Sequence, residues 1–113
     1  MKLALIARTD LRMSREMIAA QVAHAAVLAV LTDGHRRDLR AWLAEGEPKV
    51  VLRASSAEEL DRLAGAARSA GLPVQLVRGA GHTQVAAGTL TCLAVGPAED
   101  ALVDVVTGDL PLL

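Results

Sequence analysis

Short apolar runs alternate along this chain with longer stretches crowded with alanine and leucine. Residues 3–7 are apolar and lie between Lys2 and Arg8, the length and flanks of a buried strand. Ser14 is a good helix N-cap, and residues 17–31, MIAAQVAHAAVLAVL, are rich in strong helix formers and stop at Asp33-Gly34. This helix is apolar almost all round, so burial on most of its faces is expected. Its polar exceptions are ordered: at about 100° per residue Met17, Gln21, His24 and Leu28 share one stripe, which sets Gln21 and His24 on the same side. Residues 35–44 read as a shorter helix carrying Trp42, broken by Glu45-Gly46-Glu47-Pro48.

Lys49–Ala54, KVVLRA, reads as a second strand. Ser56 with Glu59 has capping-box spacing and opens a helix over 57–70, closed by Gly71 and Pro73. A third strand is expected at 74–77, a loop at 79–88 and a fourth strand at 89–95, which Gly96-Pro97 should stop. A short helix over 99–105 follows. The first three strands are joined through helices, which favours parallel or mixed pairing, whereas the third and fourth are joined by a loop alone, which favours an antiparallel pair. The expected fold is α/β: a small mixed four-stranded sheet with helices on both faces, a three-layer sandwich.

Length and composition narrow the classes. At 113 residues the chain is expected to be one domain spanning 1–113. Hydrophobic residues make up 52%, enough to exclude disorder. There is no Phe or Tyr, and Trp42 stands alone, which argues against a base-stacking platform for single-stranded nucleic acid. Net charge is -1, so there is no global nucleic-acid signature. The charge is uneven, however: Arg8, Arg12, Arg15 and Lys49 lie in the first half and most carboxylates in the second. A local basic face and ordinary solvated helix surfaces both fit that distribution. Cys92 is the only cysteine and sits in an apolar run, which excludes an internal disulfide and a Cys-based zinc site and fits a small buried hydrophobe. The apolar part of MKLALIART is too short for a signal peptide or membrane span. A reducing cytoplasm is the expected location, with no membrane partner.

The loop GAGHTQVAAG is glycine-rich, but a strand follows it, not the helix that a dinucleotide fingerprint requires. His24, His35 and His82 do not form a metal-binding pattern, so no metal is expected.

Four stretches together resemble the type 2 (archaeal and eukaryotic type) peptidyl-tRNA hydrolase family. They are RTDLRMSREMIAAQVAHAA at 8–26, EPKVVLRA at 47–54, GAGHTQVAAGTLTCLAVGP at 79–97 and VTGDLPLL at 106–113. Their order and spacing match the family from end to end of the chain. The resemblance implies a compact α/β sandwich, usually dimeric, that hydrolyses the ester between a peptide and the ribose of tRNA without a cofactor. It carries over Asp10, Met13, Gln21, His24, Lys49, Thr83, Gln84 and Thr91. The chain departs from it at Met17, where the family has lysine, at Gly79, where it has aspartate, and at His82, where it has arginine.

Ester hydrolysis needs a positioned water, a base for its proton and donors for the tetrahedral oxyanion. Met17 and Gly79 serve none of these tasks, and losing one oxyanion donor costs about 3 kcal/mol. His82 has the chemistry of a base near neutral pH. Thr83, Thr91, Gln21 and His24 can donate or orient. The bland alternatives are strand and loop hydrogen bonding for Thr91 and Gln84, and a turn role for Asp10 beside Leu11. Arg8, Arg12, Arg15 and Lys49 are the candidate RNA contacts. Two functions therefore compete: a peptidyl-tRNA hydrolase with weakened or altered turnover, and a non-catalytic paralogue that binds tRNA or a protein.

Overall fold

A computed structural model describes residues 1–32, 36–79 and 85–113. Along the chain these form β1 (Lys2–Arg8), α1 (Arg15–Leu31), α2 (Arg36–Ala44), β2 (Lys49–Ala54), α3 (Ala57–Ser69), β3 (Val74–Arg78), β4 (Leu90–Ala98) and α4 (Asp100–Thr107). The strand order is β2-β1-β4-β3. β1 and β2 run parallel, and β4 is antiparallel to both β1 and β3. This is the expected mixed sheet.

Side-chain alternation along β1 divides the interior in two. Leu3 and Leu5 face a cluster with Ala25 and Ala29 of α1, Trp42 of α2, and Val77, Cys92 and Ala94. Ala4 and Ile6 face the other way, toward Leu60, Leu63 and Ala67 of α3 and Val103 of α4. The sheet is thus the middle of three layers. Small alanines at the contacts let helix and sheet backbones approach closely in a core without Phe or Tyr. Trp42 is the largest buried side chain; truncating such a residue to alanine costs about 3–5 kcal/mol. Its indole N–H donates to the Pro48 carbonyl at 2.6 Å, so its one polar atom is satisfied.

Local caps follow the sequence. The Ser14 hydroxyl accepts from the Met17 N–H at 3.2 Å, and the Ser56 hydroxyl from the Glu59 N–H at 3.1 Å. The Glu59 carboxylate takes the Ser55 hydroxyl instead of closing the capping box.

Two expectations are overturned. The fourth strand does not stop at Gly96-Pro97 but continues to Ala98. The chain bulges there: Ala4 lies opposite Val95, yet Lys2 lies opposite Ala98, and a bulge is where a central strand tolerates proline. Gly96 makes this feasible, with φ +106° and no room for a Cβ, which would stand 2.8 Å from the Lys2 carbonyl oxygen. Nor is α1 buried on most faces. Only Met17, Ala25 and Ala29 are buried along it, and Val27 and Leu31 are 55% and 73% exposed. α2 covers the same face of the sheet beside α1, and α3 and α4 cover the opposite face, so none of these helices lies over the outer side of α1.

The terminal VTGDLPLL, for which the sequence suggests no element, lines the free edge of β2. Leu112 bridges Leu52 in antiparallel sense, the Arg53 N–H donates to the Pro111 carbonyl at 3.0 Å and the Leu113 N–H to the Val51 carbonyl at 3.1 Å. An otherwise unpaired edge is thereby covered.

Candidate active site

Among the described residues, Arg8, Asp10, Gln21 and Thr91 lie at the end of the sheet where β1 and β3 finish and β4 begins. Arg8 closes β1 and turns onto Asp10, donating through Nε at 2.9 Å and Nη2 at 2.7 Å. Its third nitrogen, Nη1, donates to the Leu90 carbonyl at 2.9 Å, tying the turn after β1 to the start of β4. This bidentate geometry is the strong form of an ion pair. It holds the Asp10 carboxyl below the usual carboxylate range and raises the Arg8 guanidinium further. Arg12 follows in a left-handed conformation, φ +54°, and Ser14 then starts α1.

Thr91 and Gln21 form the second feature. Val77 lies opposite Cys92 but Arg78 lies opposite Leu90, so Thr91 is the extra residue of a β-bulge. Its fully buried hydroxyl donates to Gln21 Oε1 at 2.7 Å, with the Val77 carbonyl 3.2 Å away. Gln21 itself is only half-buried. One turn earlier on α1, Met17 is buried, a position that an apolar thioether fills without penalty and an unpaired ammonium would not. His24, which the sequence puts on the same stripe, is exposed, with no hydrogen-bond partner among the described residues.

The third feature is the neck of the loop after β3. The Gly79 N–H donates to the Thr89 carbonyl at 2.7 Å, and its carbonyl accepts from the Gly88 N–H at 2.8 Å. Arg78 Nη1 adds a bond to the Gly88 carbonyl at 3.2 Å. A Cβ on Gly79 would stand 2.8 Å from Val85 Cγ2 and 3.1 Å from the Ala86 carbonyl oxygen. His82, Thr83 and Gln84 lie outside the described residues.

Of the expected RNA contacts, Arg12 and Arg15 are exposed and make no ion pair among the described residues. Arg8 is committed to Asp10 and Leu90. Lys49 lies at the opposite end of β2, its Nζ 5.7 Å from the Trp42 ring centroid, within cation–π range. Cys92 is buried and free, and burial pushes its thiol up to about 12, which leaves it inert as a nucleophile near neutral pH. Among the described residues no group of three or more His, Cys, Asp or Glu side chains is placed to hold a metal ion. No helix among them is long and apolar enough to cross a membrane.

Sequence reasoning singled out Gln21, Thr91 and Asp10 as candidates and Gly79 as a departure from the family, and all four lie at this end of the sheet. It missed the commitment of Arg8 to Asp10, although their i, i+2 spacing across a turn was a visible signal, and the filling of the Gly79 cradle by Val85, for which there was none.

Fold and site together define a three-layer α/β protein in which the Thr91–Gln21 hydrogen bond and the Arg8–Asp10 ion pair share one end of a central antiparallel strand pair. Comparison makes the class specific. The chain belongs to the family described as "Peptidyl-tRNA hydrolase PTH2", whose model matches residues 1–113. It is similar to the peptidyl-tRNA hydrolase of Metallosphaera sedula, 50% identical over 117 residues with all of both chains covered. It is also similar to that of Haloquadratum walsbyi, at 47% with 99% of each chain covered, and to that of Sulfolobus acidocaldarius, at 42% with all of both chains covered.

Proposed function

We propose that this chain hydrolyses the ester between a peptide and the ribose of tRNA, without a cofactor, at the end of the sheet that carries Gln21 and Thr91. The observation that carries this reading is the end-to-end match to relatives named peptidyl-tRNA hydrolase, combined with the Thr91–Gln21 bond at that end. In this reading His82 takes the proton of the attacking water, Thr83 and His24 help orient it or the substrate, and the Asp10–Arg8 pair fixes the turn that leads into α1. Turnover is slow because Met17 and Gly79 bring no charge to a reaction that develops charge.

Peptidyl-tRNA is the partner, bound through its phosphates by Arg12 and Arg15, with Arg8 and Lys49 as weaker contributors because each already has a partner. The protein acts in the cytoplasm, in translation, as a homodimer. The uncovered side of α1 favours that assembly. One groove along it is lined by Ile18, Ala19, Val22, Val51 and Leu113 with Arg15 at its side, and a second by Ala26, Val27, Val30, Leu31 and Trp42 with Glu47 and Lys49. A second copy related by a two-fold axis across α1 buries the same seam on both partners.

The experiment is incubation of purified protein with labelled peptidyl-tRNA. More than one equivalent of free tRNA released per protein is expected. Tight binding without release above buffer contradicts catalysis and leaves the binding paralogue as the description.

A further inference from the structure

We infer that the Gln21 side-chain amide is the hydrogen-bond donor to the oxyanion formed during ester cleavage, and that Thr91 is a positioning residue that holds it there. This inference rests on the hydrolase reading above. Thr91 is fully buried, so its hydroxyl does not touch a substrate. Its place in the β-bulge gives the hydroxyl a different role, because the extra residue is turned toward α1 and meets Gln21 there at 2.7 Å.

An amide group is planar. Fixing Oε1 against Thr91 therefore also fixes the direction of Nε2 and its two N–H bonds. Gln21 is only half-buried, and its Nε2 has no hydrogen-bond partner among the described residues. One side of the amide is thus anchored inside the protein and the donor side is left for a ligand. Met17, one turn away and buried, gives this side of α1 an apolar wall, and a fixed dipole beside such a wall acts more strongly than it does in water. His24 is on the same side of the helix but is exposed, and no described residue anchors it.

In the reaction a water oxygen attacks the ester carbonyl carbon and gives one proton to the base of the mechanism. The carbonyl π pair moves onto its oxygen, and the resulting oxyanion accepts the N–H of Gln21. When the carbonyl re-forms, the bond to the ribose oxygen breaks. That oxygen takes the proton back from the base, giving the tRNA hydroxyl and a peptide carboxylic acid, which then ionises.

The test measures kcat and KM on labelled peptidyl-tRNA for the wild type, Gln21→Glu, Gln21→Ala, Thr91→Val, Thr91→Ser and the double variant Gln21→Ala/Thr91→Val. Thermal melting of each variant establishes that it is folded at the assay temperature. Gln21→Glu keeps the shape and still accepts the Thr91 hydroxyl, yet has no N–H when ionised, so kcat should fall about 100- to 1000-fold with KM little changed. Thr91→Val should lower kcat by about tenfold or more through misplacement of the amide, and Thr91→Ser should recover most of it. In the double variant, loss of the Thr91 hydroxyl should add no further loss to that of Gln21→Ala, because the two act as one unit. Retention of kcat in Gln21→Glu, or losses that multiply in the double variant, would overturn the inference while the hydrolase reading stands. A wild type that releases no tRNA overturns the hydrolase reading and this inference with it.

Discussion

At Gly79 the missing side chain is not an empty space. Val85 Cγ2 stands 2.8 Å and the Ala86 carbonyl oxygen 3.1 Å from where a Cβ would be, so Val85 must shift before an aspartate fits there. Met17 poses the complementary problem, since it is buried and a lysine there needs a partner to offset its desolvation. Met17→Lys and Gly79→Asp should therefore raise the hydrolysis rate by about tenfold or more only when Val85→Ala clears the cradle, if each supplies one transition-state contact. Rates of the double and triple variants check this, and a triple variant no faster than wild type contradicts it. Asp10 allows a pH prediction. Arg8 lowers its carboxyl below the ordinary value, so the ion pair stabilises the fold above the unfolded carboxylate range, and that contribution is lost as pH falls through the lowered native value. Because the pair is partly exposed, its contribution is modest. Melting temperatures of wild type and Asp10→Asn should differ at pH 7 and converge as pH falls through the lowered native value, which lies under the ordinary carboxylate range. A gap that stays constant with pH would show that the carboxylate charge is not what matters.

Among the elements, α1 joins the site to the rest of the molecule. One side carries Met17 and Gln21 toward the sheet, and the other leaves an apolar seam uncovered. If that seam is the dimer face, Val27→Glu should shift the protein from dimer to monomer in sedimentation analysis while its melting temperature falls only slightly, since Val27 is 55% exposed. A wild-type monomer at tens of micromolar, or a Val27→Glu variant of unchanged mass, argues against this face. The same helix shows what the sequence could and could not disclose. Its caps, length and polar stripe follow from local chemistry and from periods of 3.6, so Ser14, Gln21 and the helix span were legible. Its exposure was not, because an all-round apolar helix carries no mark of how many layers surround it. β4 is similar. A short apolar run between glycines announces the strand, but a bulge exists only relative to a partner strand. The continuation through Pro97 and the turning of Thr91 toward α1 therefore depend on register with β1 and β3, which no local pattern encodes. Gln21 and Thr91 were each legible as polar residues in apolar surroundings; that they meet was not.

For the whole molecule, a net charge of -1 means that any attraction to RNA must be local. Arg12 and Arg15 are exposed at the start of α1, at the end of the sheet that holds the site. Affinity for tRNA should fall as salt rises, and Arg12→Glu/Arg15→Glu should weaken binding to all tRNAs alike and flatten that salt dependence. Arg62→Glu on α3, exposed but on the opposite face of the sheet, serves as the control; equal losses in the two variants would mean that no basic face exists. With uncharged residues at Met17 and Gly79, this peptidyl-tRNA hydrolase is proposed to carry out its chemistry through neutral donors. The most direct measurement is the single-turnover rate of peptidyl-tRNA cleavage, taken side by side for this protein and the Metallosphaera sedula relative. The predicted result is cleavage clearly above buffer but about a hundredfold or more below the relative, the scale of losing one transition-state contact; a rate equal to the relative's, or none above buffer, would contradict the account.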